Sequence, residues 1–348
     1  MKTEKEYRQK QLDSSSSLKD FSVDRKKYYK KYILNDTDKE EEDTNLATLT
    51  GKVVETILLE PDLYDEKFYI SACATPPGGM MLDFIEALYK EAKDATNDDG
   101  TITASFESMS RLAYEKSGYK ITYDAVVKKF AEGDNQIYFE EICRVREKNL
   151  TVVTGNIVEN AQKIADALQE NRVTGKIFNQ QTNSRYTVIN QAKIHGYVID
   201  DLELKSMLDK IIIDHQEHTI TPFDLKCTWT VENFYTEYYL YRRSYIQAYL
   251  YKRACEWYRD QHPELASYEV KNTAFIVCDS INYYNPLIYT LSFDDMRDAY
   301  LGFDFRNKKY PGVRDIIIDL KWALENDVWN MSKDAYESAG ILNIKYGY

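Results

Sequence analysis

Residues 205–228 read KSMLDKIIIDHQEHTITPFDLKCT, and the fold turns on how this stretch is read. Two apolar runs of strand length, rich in Ile and Thr, flank the polar HQEH at 215–218, which is the pattern of a β-hairpin. With HQEH as the loop, the register sets Asp209 opposite Asp224 and Met207 opposite Lys226. On an antiparallel pair, a side chain shares its face with the residue across from it and with those two places along. Asp209, Asp224 and Lys226 are therefore expected on one side of the sheet. Directly opposed carboxylates have Cβ atoms only ~4.5–5.5 Å apart, which is unfavourable for like charges. A protonated aspartate, neutralisation by Lys226 or a bridging cation would each relieve the repulsion. Mg²⁺ suits such a place, because it takes one or two carboxylates and keeps waters of its own.

Outward from the hairpin, RYTVINQAKIHGYVI (185–199) reads as a preceding strand, while TAFIVCDS (273–280) and PLIYTLS (286–292) read as later ones. A long helix is expected from about Val231 to Trp257. Residues 156–170 form an amphipathic helix with Ile157, Ala161, Ile164 and Leu168 on one face. Near the N-terminus, SSSSLKDF (14–21) caps a helix starting near Leu18 and LATLTGKVVETILLEP (46–61) makes another, stopped near Pro61. Strands grouped late among helices imply an α/β (α+β) fold, with a central mixed sheet of four to five strands flanked by helices. Four segments follow from this: N-terminal helices over 1–74, a helical insertion over 75–148, the core over 149–305 and a C-terminal helical extension over 306–348. A second D-x-K, Asp319-Leu-Lys321, lies among Val313, Ile316, Ile317, Leu320 and Leu324 at helical spacing, so it is read as a helix face.

The composition is that of a globular chain, with 43% hydrophobic and 29% charged residues over 348 positions. Nothing approaches the apolar length of a membrane span, and MKTEKEYRQKQLD has no apolar segment like that of a signal peptide. Five cysteines without a CxxC pair fit free thiols in a reducing cytosol, so a cytoplasmic protein is expected, in the host cytoplasm if phage-encoded. A net charge of -12 argues against all-over nucleic-acid binding, so any contact must be local or cation-mediated. No G-x-x-x-x-G-K-S/T loop occurs, which argues against ATP use.

Asp209 followed by Asp224-Leu225-Lys226 resembles the active-site pattern of the PD-(D/E)XK nuclease superfamily, a first aspartate and then D/E-x-K on the next strand. Gln247-x-x-x-Tyr251 resembles the helix that follows the catalytic strands in RecB-type exonucleases; its i,i+4 spacing puts both side chains on one face, with Arg243 a turn earlier. GKVVETILLEP (51–61) resembles the G-x-x-x-H-x-x-L-L-E-P segment of RecE-type phage exonucleases, with Glu55 where that family has histidine. A glutamate that the family carries before the first aspartate's strand stands here as Gln191 or has no counterpart.

The resemblance implies a restriction-endonuclease-like core with Mg²⁺ or Mn²⁺ as cofactor. Asp209, Asp224, Glu55 and the Leu225 carbonyl would be ligands, Lys226 would be catalytic beside the two aspartates, and Gln247, Tyr251 and Arg243 would be DNA-binding. It implies a lambda- or RecE-like exonuclease acting on double-stranded DNA ends in phage-type recombination, partnered by a single-strand annealing protein and assembled as a homo-oligomeric ring. An endonuclease or end trimmer of the same fold, or a catalytically silent DNA-binding module, are the alternatives. Two further groups carry both a ligand-binding and a solvent-facing reading. They are His215 and His218 in the turn, and the basic run Arg25, Lys26, Lys27, Lys30 and Lys31 interleaved with Tyr28 and Tyr29.

Overall fold

The computed structural model describes residues 12–36, 46–97, 103–281, 283 and 285–342. The start of the chain and most of the polar stretch 35–45 lie outside the described residues. Two compact units are present, Met1–Pro61 with Asn160–Tyr348, and Asp62–Glu159.

The first unit is built on one mixed sheet, as the sequence predicts. Its strands are β1 (Tyr186–Ile199), β2 (Leu202–Asp214), β3 (Thr219–Thr228), β4 (Glu269–Val270), β5 (Ala274–Asp279) and β6 (Leu287–Thr290), in the order β1-β2-β3-β5-β6 with short β4 beside the start of β3. The β2–β3 hairpin has the predicted register, from Asp214↔Thr219 to Lys210↔Phe223. The ladder then stops one pair short of Asp209 and Asp224. From Phe223 onward β3 pairs in parallel with β5 instead. Pro222 falls where β3 changes partner, between Ile220↔Val270 and Phe223↔Ala274. The Ile220 carbonyl already faces that side, accepting from Lys271 N–H at 2.8 Å, and strand alternation points proline's missing donor the same way, into the gap.

Helices cover both faces. On one lies α4 (Ser244–Asp260), whose Tyr245, Ile246, Leu250 and Tyr251 join Leu208, Ile211, Ile220, Phe275 and Val277 in the main core. The expected single helix from Val231 is broken: a 3-10 turn (Val231–Asn233) and a π-helical stretch (Tyr235–Tyr241) lead to Arg243 at φ 53, after which α4 starts. A left-handed residue cannot continue a right-handed helix, so the chain re-aims there. On the other face lies α2 (Leu46–Leu59), where an added Cβ on Gly51 would stand 3.8 Å from the Cys227 Cβ. Helix α1 (Ser15–Val23) opens with a capping box between Ser14 and Ser17. It is tied to the start of β2 through the Asp13 carbonyl, which accepts from Lys205 N–H at 2.8 Å. The helix predicted over 156–170 is α3 (Gly155–Glu170), with its four named residues buried. The second D-x-K, Asp319-Leu-Lys321, sits on α5 (Val313–Asn326), as its spacing predicts.

The second unit contains the segment read as an insertion. Four helices (Gly79–Asp94, Phe106–Ser117, Tyr123–Phe130 and Asn135–Lys148) close around Phe84, Ile85, Leu88, Ala113, Val126 and Phe130. A parallel strand pair, Phe68–Ser71 with Thr151–Thr154, completes it.

Candidate active site

The site lies where β2 and β3 part. Without a ladder bond there, the Leu225 N–H turns to the Asp209 side chain and donates to Oδ2 at 2.7 Å. A strand residue directs its N–H and C=O to the same side, so the Leu225 carbonyl also faces this opening. Asp224 is fully buried on the α4 face, and Lys226, two residues on, places Nζ 2.5 Å from Asp224 Oδ2. The predicted trio is thus assembled, with the parting of the strands replacing direct opposition.

Helix α4 locks onto the same aspartate. Gln247 Nε2 donates to Asp224 Oδ1 at 2.7 Å and lies 2.7 Å from the Tyr251 hydroxyl, which donates to the Met207 carbonyl at 2.7 Å. The i,i+4 spacing read from the sequence therefore joins β2, β3 and α4. Gln247 Oε1 accepts from Lys19 Nζ of α1 at 3.0 Å, a cation the sequence reading did not single out. Its signal was present in SSSSLKDF, where the serine cap fixes the start of α1 and so the direction in which Lys19 points.

Glu55 projects from α2 and accepts from Gln191 Nε2 at 2.5 Å. Gln191 is buried with φ 47, and its neighbours Asn190 and Ala192 pair with Lys210 and Leu208, so it lies across from Asp209. A non-glycine residue held left-handed costs of order 1–3 kcal/mol and persists only where its surroundings enforce it. Here the strained backbone delivers the amide that holds Glu55.

The electrostatics are those of a crowded acidic site. Burial first, then Asp224 and Glu55, push the Asp209 carboxyl well above the usual carboxylate range, against Lys226 and the Leu225 N–H. Burial works against charge on Lys226, but Asp224, Asp209 and Glu55 together outweigh it and raise its pKa. Burial, followed by repulsion from Lys226, lowers Lys19 to about 7. Asp224 Oδ2 is buried, and its close partner is the Lys226 ammonium at 2.5 Å. An anionic oxygen so placed, beside a second carboxylate, fits a hard cation. Among the described residues no three His, Cys, Asp or Glu side chains form a ready-made ligand cluster. What is built is an acid pair with Glu55 in its field, which meets the one or two carboxylates that Mg²⁺ needs. A cavity of about 770 Å³ reaches Glu55, Leu225 and Lys226 but not the two aspartates themselves; Gly51, Cys227, Trp229 and Arg242 also line it.

Other expected residues fall elsewhere. The Arg243 guanidinium donates to the Ser22 carbonyl at 2.7 Å and lines a different cavity, bounded by α1 and α5; the left-handed turn at its own backbone takes it off the Gln247 face. Of the neighbouring basic residues, Arg242 lines the site cavity, whereas Lys252 is bonded to Asn272 and Arg253 to Glu256. His215 is half-buried rather than solvent-facing, held by Thr187 at 2.8 Å and Tyr268 at 2.9 Å, while His218 stacks on Tyr268. Tyr28 is buried against Trp329 and bonded to Asp13, so it is not placed to stack on a base, and Arg25 pairs with Asp319.

No protein-family model matches the chain, and no curated protein matches it either. A solved structure from Eubacterium rectale described as a "Putative exonuclease" aligns with TM-score 0.47 and 11% identity, covering 99% of this chain and 95% of that one. A TM-score below 0.5 at that identity does not define a common fold.

Proposed function

We propose that the chain is a divalent-metal-dependent nuclease that hydrolyses DNA phosphodiesters, most specifically an exonuclease acting at duplex ends. The observation that carries this reading is the convergence of Asp209, Asp224 and Lys226 at the opening between β2 and β3, with Gln247 fastened to Asp224. Asp209, Asp224 and the Leu225 carbonyl would hold Mg²⁺ or Mn²⁺, with Glu55 as a further ligand once released from Gln191. The bound ion would supply Lewis-acid stabilisation of the phosphoryl oxygens and a water acidic enough to become a nucleophile at neutral pH.

The chain's own groups do the rest. Lys226 stays cationic because its acidic neighbours outweigh its burial. Its Nζ can orient the attacking water or offset charge growing on the phosphate. Gln247 fixes the Asp224 carboxylate plane through Oδ1, while Oδ2 is paired with the Lys226 ammonium. Arg242 brings positive charge to this neighbourhood of an otherwise acidic protein, which suits local rather than general binding of a phosphate backbone. In-line attack with the 3′ oxygen leaving gives 5′-phosphate products. On the same reading, double-stranded ends are the substrate, a single-strand annealing protein is the partner and the working form is a homo-oligomer.

The test is to incubate linear and circular duplexes with Mg²⁺ and to repeat with Lys226→Ala. Mononucleotides from linear DNA alone, lost in the variant, are the expected result. Nicks in the circle would turn the reading to an endonuclease. No metal-dependent loss of either substrate would sink it.

A further inference from the structure

Cys227 and Cys278 face each other across the parallel pair β3–β5, in direct register, with their sulfurs 3.1 Å apart. Cys278 Sγ also lies 3.5 Å from the Lys226 carbonyl. Cys227 is half-buried and lines the cavity beside Lys226 and Glu55, whereas Cys278 is 3% exposed. We propose that these two thiols form an oxidant-sensitive modification site, which takes a hydroperoxide such as H₂O₂ and closes to a disulfide that shuts the neighbouring active site.

Geometry permits the bond. Adjacent strands lie ~4.8 Å apart, inside the ~4.4–6.8 Å Cα range of disulfides, so the sulfurs need only close to about 2.05 Å. A peroxide entering the cavity meets Cys227 first. Its sulfur takes the terminal oxygen, the O–O bond breaks, and a sulfenic acid and one water result. The Cys278 sulfur then attacks that sulfur, expelling the hydroxyl, which leaves as a second water with the Cys278 proton. Two thiols and one H₂O₂ thus give one disulfide and two waters.

The consequence for the site follows from what Cys227 touches. Helix α2 crosses it at Gly51, four residues before Glu55, and Lys226 is the preceding residue. Drawing Cys227 towards β5 shifts the backbone that carries Lys226 and the seat of the Glu55 helix together. Only this effect on cleavage rests on the nuclease reading.

The experiment treats the reduced, full-length protein with stoichiometric H₂O₂, alkylates it and maps its peptides without reduction. The expected result is a Cys227–Cys278 linkage two hydrogens lighter than the separate peptides, removed by dithiothreitol, with Cys73, Cys143 and Cys255 alkylated. In Cys278→Ala, dimedone should trap a sulfenic acid at Cys227. Mg²⁺-dependent cleavage of linear duplex should fall at least tenfold on oxidation, recover with reductant and stay peroxide-insensitive in Cys278→Ala. Both thiols remaining alkylatable, or oxidation settling on Cys143, would overturn the site. A linked protein that cleaves as fast as the reduced one would overturn the shut-off. Linked protein with no cleavage in either state would support the site and count against the nuclease reading alone.

Discussion

Replacing Asp209 by asparagine should make the metal-free protein more stable. Two unit charges roughly 5 Å apart at an effective dielectric of about 20 repel by about 3 kcal/mol. In its buried surroundings Asp209 is repelled by Asp224, with Glu55 adding to the repulsion and Lys226 offsetting part of it. Asparagine keeps an oxygen for the Leu225 N–H and removes the charge, so a net gain of about 1–3 kcal/mol is expected in EDTA at pH 7.

The pH dependence gives the sharper readout. A carboxyl whose folded pKa is raised binds more protons in the folded state than in the unfolded one, so stability falls as pH rises from the unfolded value of about 3.9 through the raised folded value. That decline should be present in the wild type and largely absent in Asp209→Asn, the two curves meeting near pH 4. Urea melts in EDTA between pH 4 and 8 measure it. A variant less stable than the wild type at pH 7, or a difference that does not change with pH, would refute the electrostatic account of the site.

Other outcomes follow from the same contacts. Gln247→Leu removes the donor to Asp224 Oδ1 and the partner of Lys19, so urea melts should show a loss of about 1–3 kcal/mol and metal-dependent cleavage should drop by about two orders of magnitude or more. Gln191→Glu sets a second carboxylate against Glu55; thermal melts should show destabilisation in EDTA that added Mn²⁺ reverses by more than in the wild type. Lys19 is lowered to about 7, so the folded state binds fewer protons than the unfolded one above that pH, and stability should climb from about pH 7 towards the ordinary lysine range. That climb should vanish in Lys19→Met when urea melts are repeated across the range.

How much of this was legible in the sequence depended on the range of the interaction involved. The hairpin was readable because apolar alternation and the HQEH turn are local signals, and its register brought Asp209, Asp224 and Lys226 together. The parting of the strands at those residues was not readable, since it arises from β5 competing for β3 some fifty residues downstream. Gln247 and Tyr251 were legible from i,i+4 spacing on a helix. Arg243 was not, because the left-handed turn at its own backbone, which breaks the expected long helix, has no glycine to announce it. The Gln191–Glu55 bond and the reach of Lys19 into the site depend on packing between segments far apart in the chain, where single-sequence periodicity is silent.

Calorimetric titration of Mn²⁺ into the wild type, Asp209→Asn and Asp224→Asn at neutral pH tests the metal claim without relying on turnover. Saturable binding is expected in the wild type, at least tenfold weaker in each variant, with thermal stabilisation by the ion falling in parallel. Equal affinity in all three proteins would mean that these carboxylates hold no cation, and the proposed chemistry would lose its footing.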